Sequence, residues 1–276
     1  MNRIAFTLSL VLALLVTVAS GAGLLMSWEL YAKETADWYA QCIGQDIADL
    51  FITLPFLLVS SWLAYHGNRK AHLVHAGVLA YLIYTFTIYC FAVHFNRLFI
   101  VYCVTLGLAA YLFGWFVLSQ YARRVTISFD KATLAKITGV YLIAIAFIFY
   151  VLWLLQVIPA NIENIVPKEI NDAGLLTNPV HVIDLAICLP GIFITGILLL
   201  RKHWFAYLLA PVILTFFVLM DSTICVLLFI AGWKASEGVN IAMLLLALFS
   251  SALLIAWLRG MDSKDTATTK RKASAS

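Results

Sequence analysis

Eight apolar stretches, each of eighteen residues or more, leave this chain little choice of fold. They run over 4–26, 46–66, 73–95, 98–120, 137–157, 179–200, 204–231 and 241–258. At 1.5 Å per residue, about twenty helical residues cross the roughly 30 Å hydrocarbon layer of a bilayer. Only helices and closed barrels satisfy their own backbone there, and uninterrupted runs of this length are helical. A composition of 63% hydrophobic and 12% charged residues would also leave a soluble fold of 276 residues short of polar surface. The expectation is an all-α integral membrane protein with eight transmembrane helices.

The charges predict its orientation. Arg3, Arg69, Lys70, Arg123, Arg124, Lys131, Lys136, Arg201, Lys202, Arg259, Lys264, Lys270, Arg271 and Lys272 are fourteen of the eighteen cations, and all fall at one set of helix ends. The other set carries Lys33, Arg97, Lys168 and Lys234. Lysine and arginine beside a span are retained in the cytoplasm, so both termini are expected there, with the protein in a cell membrane. Arg3, the apolar run after it and the small residues of VASGAG also resemble a signal peptide, whose removal would leave seven helices. The run continues through Leu24, Leu25 and Met26, however, and is long enough to span. The basic end, KRKASAS, reads as a disordered tail that helps fix topology, not as a nucleic-acid arm.

An internal echo divides the chain. Residues 49–55 read DLFITLP and residues 184–190 read DLAICLP, 135 positions apart. Each stretch lies in a helix of the same direction, follows an acid-bearing loop, and precedes a basic turn containing Arg69 and Lys70 or Arg201 and Lys202. The pattern predicts a parallel repeat of a four-helix unit, 1–126 and 127–260, followed by the tail 261–276. An even number of spans relates the copies by an axis along the membrane normal. Each proline withholds an N–H from the carbonyl four residues earlier, at Phe51 or Ala186, so a kink beside the aspartate is expected.

Helical spacing turns each aspartate into a polar stripe: Asp46, Asp49, Thr53 and Ser60 on the second helix, His181, Asp184, Cys188 and Thr195 on the sixth. The third helix ends in Tyr89, His94, Asn96 and Arg97, and the seventh carries Asp221 with Ser222 and Thr223. Ionisable groups within spans are costly and face protein or water. Asp46, Asp49, His94, Asn96, Arg97, His181, Asp184 and Asp221 are therefore the candidate binding residues of a pocket opening outward between the two units. Duller roles compete: Asp46 could cap the second helix, and His94 and Arg97 could reach for headgroups.

Asp46, Asp49, His181 and Asp184 offer nitrogen and oxygen ligands that would suit zinc or a harder cation, so a divalent metal is compatible, though nothing requires a cofactor. The sequence has no HExxH, GxSxG, Walker or GxGxxG motif, and His72 and His75 lie on the cytoplasmic side, where HGNRKAH reads as a topogenic turn. Five cysteines, an odd number and without a CxxC, argue against a disulfide framework. Cys42 alone is placed in a loop as an accessible thiol.

The run from GQDIADLFITLP to YLIYTFTIYCFAVHFNRLFIVY resembles a group of uncharacterised multi-pass bacterial membrane proteins. The shared features are Gly44, Gln45, Asp46, Pro55, the tyrosines Tyr81 and Tyr84, and Asn96 with Phe99. The resemblance covers less than half the chain. It implies a bacterial inner membrane and brings no activity.

Three functional readings follow. The first is a carrier whose carboxylates bind a small polar or cationic solute or a proton. The second is an outer-leaflet enzyme acting on a lipid or lipid-linked substrate by metal or acid–base chemistry. The third is a structural or sensory protein whose polar groups join helices.

Overall fold

The computed structural model describes residues 1–122, 129, 131–230, 232 and 237–261. The basic tail from 262 onward and the proposed boundary between units at 126 and 127 lie outside the described residues. Eight helices are long and apolar enough to cross a membrane. We number the helices that carry them α1 (Arg3–Leu25), α2 (Ala36–Tyr65), α3 (Arg69–Ala92), α4 (Phe99–Ala122), α5 (Ala132–Glu163), α6 (Pro179–Leu200), α7 (Trp204–Ile230) and α8 (Glu237–Gly260). The fold is all-helical among the described residues. Eight crossings place both ends of the bundle on one face, here the terminal face. The opposite face is the distal one.

Local signals set the turns. Asn2 caps α1, its side chain accepting from the amide of Ala5 at 2.8 Å. Gly67, at φ 88°, reverses the chain between α2 and α3, and Asn68 then caps α3 through the amide of Ala71. Asn178 caps α6 ahead of Pro179, whose missing N–H costs nothing at a first turn.

The largest departure from expectation is at the start of α2. Thr35 caps it, and the helix begins at Ala36, ten residues before the apolar run. The added turns are amphipathic and carry Asp37, Gln41 and Gln45, which hydropathy alone reads as loop. Asp46 is therefore no cap. It lies about 15 Å inside the helix, and Asp49 about 20 Å. Cys42, expected in a loop, sits within α2 and is buried. Similarly, α5 continues through Pro159 to a left-handed end at Asn164.

Helices α2 and α6 share a backbone irregularity. Asp49–Thr53 and Asp184–Cys188 are π-helical turns, closed by the amide of Leu54 on the carbonyl of Asp49 and the amide of Leu189 on the carbonyl of Asp184. Each ends two positions before proline, with one leucine between. Because Pro55 and Pro190 donate nothing, the extra residue of a π turn is accommodated where the ladder is already interrupted.

Packing follows one order in both halves: α1 on α2, α2 on α3, α3 on α4, and α5 on α6, α6 on α7, α7 on α8. Across the halves, α7 packs on α3 and α2, and the first turns of α6 reach α3. A β-carbon on Gly77 of α3 would lie 2.6 Å from the carbonyl oxygen of Val212, so only glycine admits this approach of α7. The halves differ at their outer seam. Helix α1 packs on α4, whereas α5 and α8 touch at few points.

Candidate functional site

The gap at that seam contributes to a cavity of about 650 Å³. It runs from Asp37, Gln41 and Asn178, near the distal ends of α2 and α6, down to Leu189, Phe216 and Phe217. Helices α5 and α8 line one side with Tyr141, Phe149, Trp153, Met243 and Leu246. Most of the wall is aromatic or aliphatic.

Two of the predicted carboxylates face it. Asp184 accepts a hydrogen bond from the indole N–H of Trp153 at 2.8 Å. Asp221 accepts from Ser250 Oγ at 3.0 Å, and that hydroxyl is 2.7 Å from the phenol oxygen of Tyr141. Asp184 and Asp221 lie about 24 Å above the terminal-face ends of their helices, the level also reached by Asp49. Both are nearly buried and are approached by no lysine or arginine in any described ion pair.

Asp46 and Asp49 reach the same level but lie behind the wall. Asp46 accepts from Tyr89 at 2.6 Å and Tyr31 at 2.8 Å. Tyr31 arrives through the connection after α1, which Gly23 lets pass close by. A β-carbon there would lie 2.0 Å from Asp46 Oδ2. Asp49 accepts a long bond, 3.4 Å, from Tyr81, with Gln45 and Thr53 also against its carboxylate, and its Oδ2 makes no hydrogen bond of good geometry. Tyr81 also meets Gln45 Nε2 at 2.8 Å and Thr223 Oγ1 at 2.7 Å, and both of these residues line the cavity.

The remaining candidates hold other structure. His94 takes both oxygens of Glu34, through its backbone amide and Nδ1. Arg97 pairs with Glu29 at 2.9 Å, and Asn96 accepts from the amide of Leu98 just ahead of α4 while its Nδ2 reaches the Leu30 carbonyl. These three therefore tie down the distal loop and do not line the cavity. His181 is buried against the Trp153 ring and also lies off the cavity. Among the described residues no three His, Cys, Asp or Glu side chains converge, so Asp46, Asp49, His181 and Asp184 do not form the metal cluster weighed for them. The turn expected over HGNRKAH ends at His72. His72 lies in α3, and His75 is buried between Ser9 and Ser60, at 3.1 and 3.3 Å.

Both polar stripes face inward. Asp46, Asp49, Thr53 and Ser60 are buried, as are His181, Asp184 and Thr195, with Cys188 half-buried. The partners of the carboxylates, Tyr31, Tyr81, Trp153 and Ser250, were not identified as site residues. Each lies on a different helix or loop from its aspartate, and helical spacing cannot find such pairs. The one available signal was the density of tyrosine in α3. The sequence matches no protein-family model, and neither the curated proteins nor the solved structures contain a similar chain.

Proposed function

We propose that this multi-pass membrane protein binds a small amphiphile carrying a cationic or strongly hydrogen-bond-donating group, taken up from the distal side. One observation carries the reading: a cavity with apolar walls and two buried carboxylates, Asp184 and Asp221, set in them from adjacent helices, below an exposed third, Asp37, at the distal end. The walls favour an aliphatic or aromatic body, and the acids a basic group. This alters the expected solute, since a small polar molecule would leave most of that wall unsatisfied. The sparse contact of α5 with α8 lies beside the cavity and suits entry from the bilayer.

A carrier role is the second reading. The cavity reaches Leu189 and no residue of the terminal-face ends lines it, so passage would require α6 to rearrange. The π turn ahead of Pro190 is the place where α6 could bend, and α2 has its counterpart ahead of Pro55. We read the two halves as copies of one unit, supported by this shared turn and the shared packing order. The cation asymmetry supports placing both termini in the cytoplasm.

The test is binding of a hydrophobic amine and of its neutral isostere to purified protein. The amine should bind at least tenfold more tightly, and Asp184→Asn and Asp221→Asn should each abolish most of that preference. Equal affinity for both compounds would defeat the proposal.

A further inference from the structure

Among the described residues, the buried polar side chains include four aspartates and two histidines but no lysine or arginine. Three of the aspartates have good donors. Asp46 has two phenols, Asp184 an indole, and Asp221 a hydroxyl. Asp49 is the exception. Although fully buried, it has one long hydrogen bond, and neither its Oδ2 nor the buried Oγ1 of Thr53, one turn along and close against the same carboxylate, makes a hydrogen bond of good geometry.

The backbone supplies a third oxygen. With Leu54 bonded back to Asp49, Pro55 cannot donate to the carbonyl of Leu50. In α6 the corresponding carbonyl, of Leu185, accepts a hydrogen bond from Tyr150 of α5 at 3.1 Å. At the matching position of α1 stands Leu15, which has no donor, and no side chain among the described residues bonds to Leu50. The same bulge is thus closed by a phenol in one half and left open in the other.

We propose that Asp49 Oδ2 and Thr53 Oγ1, with the Leu50 carbonyl available beside them, form an occluded site for a small monovalent cation, sodium being the probe. All the donors are hard oxygens, which suit an alkali cation and not zinc. One carboxylate held by a single long phenol bond matches one positive charge, and Asp46 one turn away adds attraction. Broken helices in membrane carriers place freed carbonyls on cations in a comparable way. Through Tyr81 the site is linked to Thr223 on the cavity wall, so occupancy would couple to the cavity. The site itself does not depend on what the cavity binds.

The experiment compares thermal unfolding of the purified protein in detergent with NaCl, KCl or choline chloride at equal ionic strength. Sodium should raise the midpoint saturably, by on the order of 5 °C at a hundredfold excess over Kd. Asp49→Asn and Thr53→Val should lose that rise, and Asp184→Asn should keep it. A rise equal in choline, or one retained by both α2 variants, overturns the proposal. If either variant fails to fold, equilibrium binding of sodium-22 to the unaltered protein decides. About one ion per chain, displaced by unlabelled NaCl and not by choline, is expected. No saturable binding would mean that the bare oxygens hold only water or a proton.

Discussion

Asp49 and Asp184 occupy the same place in the same heptapeptide pattern, begin the same π turn and end in different company. Asp49 is sealed between α2, α3 and the chain around α1, out of reach of the cavity, while Asp184 forms part of its wall. The local sequence, aspartate then proline, determines the backbone in both cases. What surrounds the bulge is decided elsewhere: α1 closes against α4, whereas α5 and α8 stand apart and leave volume. A motif of this kind specifies a break in the ladder, and its neighbours determine whether the break is filled, closed by a hydrogen bond or opened to a ligand.

Two glycines, Gly23 against Asp46 in the first half and Gly191 of α6 in the second, test the contrast most severely. Gly23→Ala would place a methyl carbon 2.0 Å from Asp46 Oδ2 and 2.7 Å from the Tyr31 hydroxyl, so the carboxylate and its phenol must both move. We expect a loss of about 3 kcal/mol or more, or failure to fold, since overpacking here also breaks hydrogen bonds to a buried acid. Gly191, in α6 just past Pro190, has nothing within 4 Å of its would-be β-carbon. Gly191→Ala should be neutral or stabilising by up to about 1 kcal/mol, because alanine is the better helix former. Thermal unfolding of both variants in one detergent checks this. Similar losses would mean that the first half is no more tightly closed than the second.

Removing one donor from each side gives a smaller effect. Tyr89→Phe deletes the 2.6 Å bond to Asp46 in a place water cannot refill, and should cost about 2 kcal/mol. Trp153→Phe deletes the 2.8 Å bond to Asp184, but that acid faces a cavity where water can replace the indole. Its cost should stay below about 1 kcal/mol, with the larger consequence in ligand affinity. Equal stability losses would show that Asp184 is as dry as Asp46.

Much of this was legible in the sequence, for reasons that also explain what was not. Spans are read from hydrocarbon thickness, and the inward stripes from helical period, because both depend on one segment at a time. The start of α2 was missed because residues 36–45 are helical but not greasy. The cavity was missed because it depends on how far α5 stands from α8, and no single helix encodes that distance. His94, Asn96 and Arg97 were placed in the pocket by depth alone. Their partners Glu34, Leu30 and Glu29 lie in the connection after α1, sixty or more positions away.

Arg97 gives the smallest effect, and it tests whether depth was a sound guide to function. Its guanidinium is 2.9 Å from Glu29, yet its side chain is 78% exposed, and an exposed pair of this kind contributes at most about 1 kcal/mol. Arg97→Ala should therefore lower the unfolding midpoint slightly or not at all, with the loss shrinking further in high salt. Affinity of the cavity for a hydrophobic amine should be unchanged. A cationic residue lining the site would repel such a ligand, so its removal would tighten binding, and a rim residue has no such influence once salt screens it. An amine affinity that rises severalfold in Arg97→Ala at high salt would return Arg97 to the pocket. It would also mean that the distal loop closes over the cavity when a ligand is bound. An unchanged affinity leaves the acids of α6 and α7 as the charged groups that govern it.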